Sequence, residues 1–140
     1  MYLVAIIFVV FIILAIIHFY WAFGGKIGLE NAIPRRANNE KIINPTIISS
    51  SIVGIVLLIF GFINIIKTKI IEIELPEIIE NYCLWFIAIL FILRAIGDFK
   101  YIGVFKKITK TKFSRMDTKV YSPLFLFIGI SEIIIELTNK

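Results

Sequence analysis

Four apolar runs of membrane-spanning length constrain this chain more than any other feature. The first covers residues 2–23 and contains one ionisable side chain, His18. A helix needs about 20 such residues to cross a ~30 Å hydrocarbon core, and in lipid it satisfies its own backbone groups. The other runs cover residues 46–66, 79–97 and 122–138. No Lys or Arg precedes the first run, its apolar part is long for a signal peptide and no A-x-A site follows, so it reads as a mature helix. Composition agrees, because 59% of the chain is apolar and a soluble chain has about 45–50%. The predicted fold is all-α, a single-domain integral membrane four-helix bundle of two transmembrane hairpins.

Charge sets the expected orientation. Loop one (residues 24–45) and loop three (residues 98–120) together hold eleven Lys and Arg, and loop two plus the C-terminal tail hold three. The positive-inside rule then predicts both long loops in the cytoplasm and both termini outside. The expected location is a bacterial plasma membrane, on the association of Ile, Lys and Asn richness with AT-rich bacterial genomes. The basic stretch of loop three, Lys106–Lys112, reads as a surface that meets anionic headgroups. No nucleic-acid partner is expected. One Cys and one His exclude an intramolecular disulfide and argue against a Cys- or His-rich metal centre. No P-loop, dinucleotide fingerprint, nucleophile–His–acid set or two-His metal spacing is present. No cofactor or metal is therefore expected.

Polar residues gather at one predicted depth. Span one ends with His18 and Trp21, span three with Arg94 and Asp98, and span four is preceded by Asp117 and Tyr121. Arg94 lies about one turn, ~5 Å, inside the membrane, where charge is costly and marks a candidate functional site. Arg94 and Asp98 share a helix face at i, i+4, with the acid on the side that opposes the helix dipole. Helix propensity therefore does not explain the pair. Two readings stay open: a lock that positions loop three, or a site facing a ligand. The six residues form one predicted cluster at the cytoplasmic ends of the helices. Glu132 is a separate intramembrane acid about 13 Å along the axis from Pro123, with Asn64 as a candidate partner. Glu136 reads as solvated, one turn further out. Asn44-Pro45 and Ser122-Pro123 read as paired helix starts. Ser50, Gly54 and Gly61 form a small-residue stripe suited to close helix packing.

Several blocks resemble a known family: His18-Phe-Tyr-Trp-Ala-Phe-Gly-Gly25, the Gly28…Ala32-x-Pro34 segment, Arg94-Ala-Ile-Gly-Asp98-x-x-Tyr101-x-Gly103-x-Phe105, Phe113…Asp117-Thr118 and Tyr121-Ser-Pro-Leu124. The chain resembles the small four-helix bacterial membrane proteins called domain of unknown function 3995, over nearly its whole length. The resemblance implies a four-helix membrane fold and no particular activity. Lys26-Ile27 departs from the pattern, which places a Trp before Gly28, and this weakens the case for an aromatic platform in loop one.

Three functions fit these residues. The first is a binding or accessory protein that holds a small anionic or amphipathic ligand, a lipid headgroup or a partner helix at the cytoplasmic cluster. The second is an oligomeric transporter or channel with Glu132 as its coupling carboxylate, since four spans alone enclose little volume. The third is a membrane enzyme acting on a lipid-like substrate, with His18 as acid or base.

Overall fold

A computed structural model describes residues 2–71 and 73–139. Lys140, counted in the charge tally, lies outside the described residues. The described chain is all-helical, with α1 (Tyr2–Ala22), a one-turn α2 (Leu29–Ala32), α3 (Ile47–Lys67), α4 (Glu77–Ile96), α5 (Lys112–Met116) and α6 (Ser122–Thr138). A π-helical turn, Asp117–Tyr121, joins α5 to α6 without a break. Four helices are thus long and apolar enough to cross a membrane: Tyr2–Ala22, Ile47–Lys67, Glu77–Ile96 and Lys112–Thr138.

The packing is inside-out relative to a soluble domain. Ile6, Val9, Ile13 and Ile16 of α1 are exposed, as are Ile52, Ile55, Ile59 and Phe62 of α3. Asn64, Asp117, Ser131, Glu132 and Glu136 are buried. Water would drive the opposite arrangement, so lipid is the solvent that this surface fits. The protein is a multi-pass membrane protein.

α1 packs along α3, and α4 along α6. Each pair is joined by a long loop, and the short segment between α3 and α4 links the pairs. One end of the bundle therefore carries both long loops; the other carries the short loop, the start of α1 and the end of α6. A phenylalanine from each long helix joins the pairs: Phe91 lies 5.7 Å from Phe11, 6.4 Å from Phe60 and 5.6 Å from Phe125. Such ring pairs prefer tilted or edge-on contact. The stripe on α3 is filled from within the chain. The Phe19 ring covers Gly54, and Phe8 and Phe11 cover Gly61. It is a close-packing seam for α1, not a face left open for a second subunit.

Two expected helix starts differ from those observed. The N-cap of α3 is Thr46, whose hydroxyl accepts from the Ser49 N–H at 3.1 Å while the Ser49 hydroxyl accepts from the Thr46 N–H at 2.9 Å. This capping box displaces Asn44-Pro45 as the start. Ser122-Pro123 is not a start at all, because the helix begins ten residues earlier at Lys112, capped by Thr111. A proline ring in a regular α-helix collides with the carbonyl four residues back, at a cost of about 3 kcal/mol. Here the turn before Pro123 is widened, and the Ser122 N–H donates to the Asp117 carbonyl five residues back. The wide turn lets the helix run through Pro123 and directs the Asp117 side chain inward.

Candidate functional site

The long-loop end is organised around Asp117, which is fully buried. Its Oδ1 accepts from both terminal guanidinium nitrogens of Arg94, each at 3.3 Å. Its Oδ2 accepts from the Gly103 N–H at 2.7 Å and from Lys106 Nζ at 3.1 Å. Lys106 spends its other donors on the Gly103 carbonyl and the Thr118 hydroxyl. An ammonium group has three donors, and all three are used. The Arg94 guanidinium also lies 4.9 Å from the centre of the Phe125 ring. One buried and one half-buried cation thus hold one buried anion, with hydrogen bonds on both carboxylate oxygens, as a charge removed from water requires.

The pairing of Arg94 with Asp98 is therefore replaced by pairing with Asp117. Asp98 lies in the loop after α4, where its Oδ1 accepts from the N–H groups of Lys100, Tyr101 and Ile102 at 2.9, 2.7 and 2.9 Å. Partial burial alone would raise the Asp98 carboxyl, but the N–H groups of Ile102, Tyr101 and Lys100 outweigh it and hold the group below its ordinary value. This tight turn brings Gly103 back against Gly97, at φ +91° and +86°. A Cβ on Gly97 would run into the Ile102 carbonyl, and one on Gly103 into the Ile96 carbonyl. The Val104 N–H then donates to the Ala95 carbonyl at 2.9 Å, closing the end of α4. The Arg94-to-Gly103 block is thus a backbone knot pinned by Asp98 and docked on Asp117.

The predicted six-residue cluster divides in two. Arg94, Asp98 and Asp117 form the knot, and Tyr121 lies at its edge with its ring 6.3 Å from that of Phe113. His18 and Trp21 stand apart, on the α1–α3 side. The His18 Nδ1–H donates to the Leu14 carbonyl at 2.8 Å. The Trp21 ring packs edge-on against His18 at 5.2 Å, and its N–H donates to the Ile27 carbonyl at 2.9 Å, tying loop one to the helix. His18 and Trp21 line an open cavity of about 200 Å³ together with Leu29, Ile33 and Pro34 of loop one and Ser50 of α3. Beside it lies a cleft of about 610 Å³ that shares Leu29 and is lined by three cations, Lys26, Lys41 and Lys112, and one carboxylate, Glu30. Lys112 reaches loop one because α5 packs on α2.

The family described as Protein of unknown function (DUF3995) matches residues 11–131. The chain belongs to the DUF3995 family. No curated protein and no solved structure matches it. The DUF3995 region contains the whole Asp117 knot, the His18–Trp21 cavity and the neighbouring cleft.

At the short-loop end, Asn64 Nδ2 donates to Glu132 Oε1 at 2.9 Å. Glu136 is 1% exposed rather than solvated, and it is paired with Lys67, which also donates to the Glu80 carbonyl. The sequence reading missed Lys67, Lys106 and the role of Glu136. Lys106 reads as surface from local pattern but is 7% exposed. Among the described residues no group of three or more His, Cys, Asp or Glu is placed to hold a metal ion.

Proposed function

We propose that the protein binds an anionic amphiphile, such as a lipid headgroup with the start of its chain, at the long-loop end. One observation carries this reading: an apolar cavity adjoins a cleft where three lysines outnumber one carboxylate, Glu30, and the two share Leu29. The cavity is smaller than the ~300–1,000 Å³ typical of a whole-ligand pocket, so it takes the apolar end. Lys26, Lys41 and Lys112 take the charge. Arg94 is not the ligand's cation, because Asp117 already holds it; the knot instead fixes loop three so that Lys112 stands opposite loop one. His18 Nε2 and the Ser50 hydroxyl offer hydrogen bonds where head meets chain. The exposed Lys107, Lys110 and Arg115 meet surrounding anionic headgroups. The orientation that fits is both long loops on the cytoplasmic face of a bacterial plasma membrane with both termini outside.

Trp21 is a built-in reporter of occupancy. In a Trp85→Phe background, a spin-labelled anionic phospholipid should quench Trp21 in detergent micelles more strongly than its zwitterionic counterpart. The excess should fall at high salt and at least several-fold in the Lys26→Ala/Lys41→Ala/Lys112→Ala variant. Equal quenching by both lipids, or an unchanged excess in that variant, defeats the reading.

A further inference from the structure

The short-loop end holds a second buried polar cluster whose hydrogen bonding is incomplete in one particular sense. Asn64 and Glu132 are fully buried and Glu136 is 1% exposed. Glu132 Oε2, Asn64 Oδ1 and Glu136 Oε1 have no hydrogen-bond partner among the described residues. All three are acceptors. What the cluster lacks is a donor, and an orphaned buried acceptor carries its full desolvation cost.

The Asn64 amide is fully committed, and Lys67 has spent two of its three N–H donors. From α3, Asn64 Nδ2 donates to Glu132 Oε1 and to the Phe60 carbonyl, the latter at 3.1 Å. Lys67, also on α3, is paired with Glu136 and with the Glu80 carbonyl of α4. The Cys83 thiol of α4 lies within electrostatic reach of Glu132, Lys67 and Glu136. On α6, Glu136 is one turn from Glu132 and shares its face. The stretch of α1 at this end, Leu3–Phe11, contains no acid or base. Glu132 thus makes no ion pair among the described residues, at a depth where an unpaired charge is costly.

We infer that Glu132 is a proton-binding site, held as the neutral carboxylic acid in a reciprocal pair with Asn64 and filled from the short-loop side. One added proton repairs two defects together. The Glu132 Oε2–H becomes the donor that Asn64 Oδ1 lacks, while Asn64 Nδ2 continues to donate to Oε1. The step balances with water alone: an O–H bond of a hydronium ion breaks as the Glu132 Oε2–H bond forms, and a water molecule is left. The route also lies in the fold. A cavity of about 690 Å³ opens at the short-loop end, lined by Lys67, Glu74 and Glu80. Lys67 lies between this cavity and Glu136, and Glu136 lies one turn from Glu132. The remaining orphan, Glu136 Oε1, is the acceptor on that route.

Difference infrared spectroscopy of the full chain in liposomes tests this directly. A neutral-carboxyl stretch should be present at neutral pH, shift on transfer to D₂O within mixing time, and disappear in Glu132→Gln but persist in Glu136→Gln. A band absent from the wild type, or retained in Glu132→Gln, overturns the assignment. A band that fails to exchange in D₂O overturns the route. Solid-state NMR of glutamate-labelled wild type, which needs no variant, should show one carboxyl carbon in the protonated range. Loss of that signal on adding sodium or lithium would make the site a metal-cation site and overturn the proton reading.

Discussion

The two ends of the bundle bury carboxylates under the same constraint and resolve it oppositely. At the long-loop end, Asp117 has donors on both oxygens, from Arg94, Gly103 and Lys106. At the short-loop end, Glu132 has one donor for two oxygens. The first arrangement is closed: no lone pair is left for a ligand, and removing Asp117 strands two cations. The second still has acceptors without a donor. Burial of an acid in a membrane helix therefore does not by itself indicate function; the donor count distinguishes a lock from a site.

Substitution separates the two ends most sharply. Asp117→Ala leaves Lys106 buried and unpaired and Arg94 half-buried beside it. Breaking such a pair costs about 3–5 kcal/mol. Glu132→Gln should cost no more than about 1 kcal/mol, the net value of one hydrogen bond, because the amide N–H₂ stands in for the acid proton facing Asn64. Thermal or denaturant unfolding in detergent reads both. If Glu132→Gln destabilises as much as Asp117→Ala, the two ends are not different in kind.

The next effect in size tests whether the knot is made by backbone. Gly97→Ala and Gly103→Ala each place a Cβ at positive φ, where strain alone is of order 1–3 kcal/mol, and each also meets an opposing carbonyl. Both should destabilise more than an alanine placed on a lipid-facing position such as Ile55. They should also weaken amphiphile binding, by releasing Lys112 from loop one. Alanine variants with wild-type stability would mean that Asp117 alone holds loop three.

These results show where the sequence is legible. The four spans follow from length and apolarity, which are local properties, and the helices α1, α3 and α4 lie within two residues of the apolar runs. The start of the fourth helix is not legible, because Ser122-Pro123 is a valid local cap signal and only the widened turn at Asp117 cancels it. Arg94 draws attention from sequence, yet its partner is missed. The nearest acid, Asp98, is taken by three backbone N–H groups that exist only once the loop has folded, and Arg94 then pairs 23 residues away. Lys106 and Lys67 read as solvated for the same reason: a lysine's burial depends on a distant acid that local pattern does not reveal. Within the cluster, shared depth is legible, but division between two helix pairs is a lateral property that depth does not encode.

The smallest expected effect concerns Asp98, the exposed member of the knot. Its carboxyl is held below the ordinary value of 3.8 in the folded protein by the turn's N–H groups. A depressed acid contributes stability that is fully present above the unfolded value and is lost as pH falls through the folded one. Asp98→Asn keeps the acceptor oxygen and removes only the charge, so the variant isolates that contribution. The difference in melting temperature between wild type and Asp98→Asn should be small and constant from about pH 5 to 8, and should shrink towards zero below about pH 4. Because three neutral N–H donors carry the effect rather than a cation, added salt should change it little, whereas any contribution from Arg94 would be screened. A salt-sensitive difference, or one that grows as pH falls, would return Asp98 to Arg94 and merge the turn with the buried lock.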